Sequence, residues 1–376
     1  QNNLVFIFIF LYFSLIMLLY IILILLIAIL FFFTYLKLSA PFWSKQPVYH
    51  YYDLHYWFED PKIINNELPK FNKFINFVNI KTNDFTDMSM NNIVDLIRNN
   101  FLDEDNIKYK PQENNIIPYL KSHNEPTYVS TYIEDNNLVG CMTTRPLNIY
   151  LNAIKFRIYY VDSLVVKHGY RKKGIAPQII QTHEYHQRHR NRNIQCSLFK
   201  REDTLTDIIP LVKYDVIGFH LDKFKFKKIH PVFKILKINK QNLDIVYDYL
   251  KTHIIQKFDC VIIADMNNIA ELIETNNIIM YVILFKKEII SLYVFQNTCV
   301  YHNNKKGIQL IASTINDKKY YEIYEQVFYQ ILCKFKADYQ NLFIDYNSDN
   351  HILISMIRKD ARVYPFLTSN SAYYFY

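Results

Sequence analysis

The residues best placed to do chemistry lie in one run, Tyr160-Val-Asp-Ser-Leu-Val-Val-Lys-His-Gly-Tyr-Arg-Lys-Lys-Gly-Ile-Ala-Pro177. It reads as a strand, a short basic loop and the start of a helix. Gly174 is one of only five glycines in 376 residues, and three cations, Arg171, Lys172 and Lys173, stand directly before it. A helix N-terminus offers N–H groups without intrahelical partners and a partial positive charge, a combination that suits phosphate. The glycine lets the backbone approach closely. The run therefore predicts a pyrophosphate cradle made without a Walker loop, the competing reading being an ordinary basic loop before a helix. A second cluster, His183, Glu184, His186 and His189, spells H-E-x-H-x-x-H rather than the zinc-binding H-E-x-x-H. On a helix His183 and His186 share a face and His189 turns away. With Arg188, Arg190 and Arg192 nearby, the expectation is a solvated basic face, and no metal is expected.

Composition excludes other chemistries. No G-x-G-x-x-G, Walker loop, G-x-S-x-G elbow or C-x-x-C is present, which removes the dinucleotide, P-loop, serine-hydrolase and zinc-ribbon motifs. Five scattered cysteines fit a reducing compartment better than a disulfide framework. The net charge of +8 favours anionic ligands without requiring nucleic acid. The 32 tyrosines and 28 phenylalanines are spread along the whole chain rather than gathered on a basic face, so no base-stacking platform and no nucleic-acid partner are expected.

The elements that would position the cradle recur. In the first block Asn91–Asn99 has helical apolar spacing. Tyr128–Ile133 and Leu138–Thr143 read as strands around an Asp135-Asn136-Asn137 turn, followed by a long strand Ile154–Val166, a helix Ile175–His189 and a strand Ile194–Phe199. The second block repeats this order: helix Leu243–Thr252, strands Ile278–Phe285 and Glu288–Phe295 around Lys286-Lys287, a strand near Ile308–Ser313, helix Tyr320–Phe335 and strand Leu342–Tyr346. Two α/β halves in tandem are the expectation. Ahead of them the first 36 residues carry no charge, and Leu4–Leu36 is almost unbroken Leu, Ile, Phe, Val and Tyr. About 20 such residues span a bilayer, so a single transmembrane helix is expected, and Lys37 and Lys45 just after it place the following domain in the cytoplasm. The expected divisions are 1–37 as anchor, 38–77 as an N-terminal segment, 78–230 as the first half and 231–376 as the second.

The R-x-x-G-x-A arrangement after a strand resembles the acyl-CoA-binding motif of the GNAT N-acyltransferase superfamily. Further segments resemble one family within it, the N-myristoyltransferases. Phe42-Trp43-Ser44-Lys45-Gln46-Pro47-Val48 is similar to that family's F-W-x-T-Q-P-V. Asn100-Phe101-Leu102-Asp103-Glu104-Asp105 is similar to N-Y-V-E-D-D, Arg145-Pro146-Leu147-Asn148-Ile149 to I-P-A-N-I, and Tyr373-Tyr374-Phe375-Tyr376 to Y-Y-L-Y. They fall in the family's order from residue 42 to the end. In the family's E-[IV]-N-F-L-C-x-H-K block only Val161 and Leu164 match.

The resemblance implies an α/β fold in which two GNAT-like halves form one saddle-shaped unit. It implies transfer of an acyl group, most often myristoyl, from acyl-CoA to the N-terminal glycine of a protein by direct attack on the thioester. The cosubstrate would be acyl-CoA, and the other partner a glycine-starting peptide. It assigns the oxyanion hole to the backbone N–H groups of Ser163 and Leu164. CoA binding falls to Val165, Val166, Arg171, Lys172, Lys173, Gly174, Ile175, Ala176 and Pro177, with Phe42 and Trp43 from the N-terminal segment. Phe101, Asp103, Glu104 and Asp105 would lie at the peptide channel, where acidity suits an ammonium group or lysine. The family's base is a C-terminal carboxylate beyond the Y-Y-L-Y strand, whereas this sequence ends at Tyr376 within it. That leaves a fragment, a substitute carboxylate such as Asp345 or Asp349, or an inactive protein. A GNAT acetyltransferase using acetyl-CoA and a catalytically inactive acyl-CoA-binding or peptide-binding protein are the alternatives.

Overall fold

An uncharged apolar run satisfies its own backbone most readily as a helix, and Asn2–Ser39 forms one, α1. The computed structural model describes residues 2–39, 41–59, 63–102, 106–202 and 208–375. Within α1, the 24 residues Tyr12–Tyr35 are long and apolar enough to cross a membrane and are not buried in protein. Their length of roughly 36 Å exceeds the roughly 30 Å of a bilayer's hydrocarbon core. The helix belongs to a unit made of residues 1–64 and 205–209. In that unit Phe42 is buried and meets Trp43 edge-on at 5.0 Å. The His50 ring stacks on Tyr52 at 4.8 Å, its backbone bridges to Ile208, and a short helix α2 (Leu54–Phe58) follows.

The second unit, residues 65–204 and 210–376, runs through one set of elements twice. The first pass is β1 (Ile80–Asp84), α3 (Asn91–Asn100), β2 (Ile107–Tyr109), α4 (Glu113–Leu120), β3 (Tyr128–Glu134), β4 (Asn137–Leu151), β5 (Ile154–Val166), α5 (Ile175–Arg190), β6 (Ser197–Glu202) and β7 (Val212–His220). The second pass opens with β8 (Phe233–Lys237) and α6 (Leu243–Tyr249), which a π turn carries into α7 (Ile255–Lys257). It continues with β9 (Cys260–Ile263), α8 (Met266–Glu274), β10 (Ile278–Phe285), β11 (Glu288–His302), β12 (Lys305–Ile315), α9 (Tyr321–Phe335) and β13 (Asn341–Asp345). A helix α10 (Asn350–Ile357) precedes the closing strand β14 (Leu367–Phe375). Two tandem α/β halves behind an apolar N-terminal helix are thus the observed fold class.

The strands form one mixed sheet in the order β1-β3-β4-β5-β6-β14-β7-β13-β12-β11-β10-β8, with β2 added to β11 and β9 to β4. Each half therefore lends strands to the other. First-half β2 pairs with second-half β11, and second-half β9 pairs with first-half β4. The closing strands are exchanged too, since β14 pairs with β6 and β7 pairs with β13. The turns that link the hairpins are made by residues at positive φ, Asp135 and Asn136 in the first half and Lys286 and Lys287 in the second. Apolar side chains at helical spacing on α9 (Tyr324, Val327, Phe328, Ile331, Leu332) are fully buried against the second half's strands. Ile93, Val94, Leu96 and Ile97 of α3 pack similarly with Val129, Cys141 and Val165 in the first.

Candidate functional site

Strand β5 carries the irregularity on which the site is built. It runs parallel to β6 only from Tyr159–Ser197 to Val161–Phe199, and beyond that point the two strands part. On its other edge β5 stays paired with β4, but the register shifts. Thr144 faces Val161 and Thr143 faces Ser163, so Asp162 is an extra residue in a β-bulge. The Lys167 N–H bonds the Val139 carbonyl on β4 at 2.8 Å. Successive strand residues face opposite ways. Counting back from Lys167, the N–H of Ser163 faces β4 and that of Leu164 faces the gap left by β6. Of the two donors expected from the sequence, Leu164 is therefore the one turned to the open side. Ser163 is buried and Leu164 half-buried, while the Val165 and Val166 side chains are packed into the interior.

The basic loop follows directly. Lys172 (φ +63°) and Gly174 (φ +76°) both take left-handed backbone conformations, and Gly174 is the N-cap of α5. These two left-handed residues turn the chain sharply into α5, whose N-terminal N–H groups and partial positive charge favour an anion. Ile175 and Ala176 supply first-turn N–H groups, and Pro177 contributes none. The three cations divide their work. Arg171 braces the loop by donating from Nε to the Val166 carbonyl at 3.1 Å and from Nη2 to the Asn100 carbonyl. Lys172 and Lys173 are exposed, Lys173 with its Nζ 4.7 Å from the Tyr170 ring centre. The peptide N–H of His168 bonds the Asn100 side chain at 3.2 Å, so the end of α3 also holds the loop.

On the α4 side of the bulge lies a polar cluster that sequence reasoning passed over. Arg145 Nε donates to both oxygens of Asp162 at 2.9 Å, and its guanidinium lies 5.0 Å from the Tyr119 ring centre and 5.6 Å from that of Tyr160. Its Nη1 reaches Asn268 Oδ1 at 3.4 Å. Burial raises the Asp162 carboxyl above its ordinary range, with Arg145 acting in the opposite sense. The Thr143 hydroxyl, opposite Ser163, is buried without a hydrogen-bond partner. The only acid in the strand was the available signal, but the bulge that singles it out is visible only in the register.

The histidine cluster on α5 corrects an expectation. His183, Glu184, Gln187 and Arg188 are buried rather than solvated. His183 Nδ1 and Nε2 meet the hydroxyls of Ser130 and Thr144, each at 2.8 Å, and Ser130 in turn meets Thr82 at 2.6 Å. Ser197 donates to Glu184 at 2.9 Å. The strands beneath α5 present hydroxyls where an apolar sheet face is usual, so the polar face of the helix turns inward. Both His183 nitrogens are engaged, which leaves neither for a metal.

The remaining candidates are distributed as follows. Phe42 and Trp43 lie in the other unit. Asp103, Glu104 and Asp105 fall outside the described residues, while Phe101 is exposed and its ring meets Tyr109 at 5.4 Å. Next to Leu102 a cleft of about 920 Å³ opens, lined among others by Arg98, Lys108, Lys110, Glu113 and Tyr301. Asp345 and Asp349 are buried and committed to structure. Asp345 accepts from Tyr214 and Gln309, and Asp349 from Lys257 and the Ile315 N–H.

Asp349 also shows why the second half has no equivalent opening. Strand β12 carries a matching bulge at Ile311 and parts from β13 after Leu310–Ile344. There the space is filled. Ser313 N–H bonds Ser348 Oγ, Asp349 N–H bonds the Ser313 carbonyl at 3.1 Å, and the Asp349 carboxylate takes the Ile315 N–H at 2.8 Å.

Comparison with known proteins agrees with this geometry. Residues 90–207 match the acetyltransferase (GNAT) family. The structure of Saccharomyces cerevisiae N-myristoyltransferase with bound myristoyl-CoA is similar with a TM-score of 0.70 and 14% identity, over 90% of this chain and 88% of the yeast chain. A second structure of the yeast enzyme with myristoyl-CoA gives 0.68 at 14% identity, over 89% and 92% of the two chains. A third, with myristoyl-CoA and inhibitors, gives 0.67 at 14% identity over 89% and 88%. No curated protein matches by sequence. The chain has the tandem GNAT fold of the N-myristoyltransferases, as its sequence motifs led one to expect.

Proposed function

We propose that this protein is an acyl-CoA-dependent N-acyltransferase, anchored in a membrane by α1 with its catalytic unit in the cytoplasm. It transfers a long acyl chain, myristoyl in the first instance, to the N-terminal glycine of a protein or peptide. The observation that carries the reading is the parting of β5 from β6, which has a bulge on one side and a left-handed, cationic loop on the other. A thioester entering that gap meets a fixed N–H donor at Leu164, and a pyrophosphate beside it meets the cationic loop and the first-turn N–H groups of α5, from Lys172 to Ala176. Acyl-CoA supplies the activated carbonyl. The protein's part is to hold that carbonyl against a preorganised donor, which stabilises the negative charge that develops only in the transition state. The first half (78–230) holds the acyl-CoA and the second (231–376) presents the peptide. Phe42 and Trp43 serve the CoA, and Phe101 with Asp103, Glu104 and Asp105 serves the peptide.

The test is direct. The full chain in detergent, given myristoyl-CoA and a panel of glycine-starting peptides, yields peptide heavier by one myristoyl group in mass spectrometry. Acetyl-CoA in parallel gives far less product. Product from acetyl-CoA alone replaces this reading with that of a short-chain acetyltransferase. Tight acyl-CoA binding without product from either donor replaces it with that of a binding protein.

A further inference from the structure

We propose that Asp162 takes the proton from the substrate's ammonium group and so releases the amine for attack. The proposal rests on the acyl-transfer reading and adds to it the residue that starts the reaction.

Position argues for it first. Asp162 is the extra residue of the bulge, two residues before Leu164, whose N–H faces the gap. At about 3.3 Å of rise per residue the two lie roughly 6–7 Å apart along the strand. An amine hydrogen-bonded to the carboxylate and poised against a carbonyl that is itself hydrogen-bonded to Leu164 fills that span. The buried Thr143 hydroxyl, which has no partner, stands across from Ser163 in the same cluster.

Spare capacity argues for it second. Among the described residues Arg145 Nε is the only hydrogen-bond donor to Asp162, shared by both oxygens at 2.9 Å. The other buried carboxylates have more to do. Asp265 accepts Arg157 at 3.0 Å through both oxygens, together with the Asn124 N–H and Asn148. Glu184 is held by Ser197 and Gln187 beside Arg188. Asp345 and Asp349 are engaged as described above.

The charged and titratable groups around Asp162 are Arg145 on β4, His123 after α4, Tyr119 on α4 and Tyr109 on β2, and burial keeps both phenols neutral. Burial raises the carboxyl's proton affinity and Arg145 tempers it, which brings it nearer to that of an α-ammonium, whose pKa is about 8. The step balances. The ammonium gives one proton to the carboxylate, and the freed nitrogen lone pair forms the C–N bond at the thioester carbon. The C–S bond then breaks with its electrons on sulfur. The leaving thiolate takes the second proton from nitrogen, and Asp162 returns the first to solvent.

The experiment uses the full chain, myristoyl-CoA and a glycine-starting peptide. Asp162→Asn is expected to lower kcat/KM by about 10²–10⁴ at pH 7 while myristoyl-CoA binding, measured by titration calorimetry, stays within twofold. In the wild type kcat/KM rises with pH as the carboxyl ionises. In Asp162→Asn that limb disappears, and the residual rate follows deprotonation of the peptide amine itself, near pH 8. Asp162→Glu keeps a carboxylate beside Arg145 and is expected to restore a pH limb and part of the rate. If Asp162→Asn fails to bind myristoyl-CoA, Asp162→Glu decides alone: folded and bound but without any recovery, it overturns the proposal. An active wild type with an equally active Asp162→Asn and an unmoved limb also overturns it and leaves acyl transfer standing. A wild type that turns over no peptide overturns the reading beneath it, and the proposal falls with that reading.

Discussion

A Cβ built on Gly174 meets no atom within 4 Å, yet the residue's φ is +76°. Space is not what the glycine provides here; torsion is. An L residue in that conformation costs about 1–2 kcal/mol, and asparagine bears it better than alanine. The loop already holds one such residue, Lys172 at +63°, and a second strained position would tilt it toward another shape that no longer leads the chain into the first turn of α5 in the same way. Gly174→Ala is therefore expected to lower stability by about 1 kcal/mol and to weaken acyl-CoA binding severalfold, with Gly174→Asn falling between alanine and wild type. Equal affinities for Asn and Ala variants would show that backbone conformation is not what matters at this position. Gly140 makes the contrast. Its Cβ would lie 2.7 Å from Ile179 Cδ1 and 3.1 Å from the Val165 carbonyl, so there the absence of a side chain is what lets α5 approach the sheet.

At the scale of elements, α5 is where pH should register. Burial lowers the His183 pKa from its ordinary 6.5 to about 3. The unfolded chain takes up a proton there below about pH 6.5 and the folded chain does not. Stability from this residue is whole above pH 6.5 and declines as pH falls toward 3, by up to about 1.4 kcal/mol per pH unit. His183→Gln, which can still meet the hydroxyls of Ser130 and Thr144, should flatten the fall of melting temperature between pH 6 and 4. A slope identical to the wild type's would remove His183 as its source. The same helix marks the limit of what sequence could tell. Its extent, 175–190, differs from the expected 175–189 by one residue, because the apolar spacing and Gly174 define it locally. Its inward face was misjudged, because whether a row of His, Glu and Gln is buried depends on hydroxyls supplied by strands some 50 residues away. Strands β5 and β10 were legible to the residue for the local reason. The short β2 and β9 were not, since they gain their partners only by pairing across to the other half. The candidate site divides in the same way. The basic loop could be read from consecutive residues, while Asp162 emerges only from the offset between two strands.

For the molecule as a whole, the exchange of strands decides whether the halves can exist apart. Seven residues of β14 pair with β7 and five with β6, so the middle of the sheet is completed only when β14 returns to the first half. Asp265, at the start of α8, adds a buried polar clasp. Although burial opposes it, the His123 ring 3.6 Å away and bonds from Arg157 and the Asn124 N–H hold its carboxyl well below the usual carboxylate range, and every one of those partners belongs to the first half. A first half without the second would leave β6 with an unpaired edge where β14 now lies, β4 without β9, and the half-buried Arg157 and the Asn124 N–H without the Asp265 carboxylate. Open edges invite association, and each polar group left without the acceptor it now has at Asp265 costs about 1–3 kcal/mol, a sizeable share of a domain's usual 5–15 kcal/mol. Residues 65–230 expressed alone are therefore expected to be insoluble or to lack a cooperative melt. Co-expression with residues 231–376 as a separate chain should recover a soluble pair that melts in one transition near that of the intact unit. A first half that melts cooperatively alone, at the temperature of the whole, would mean that the exchanged strands decorate two independent domains, and the gap between β5 and β6 would then have to be understood without the second half.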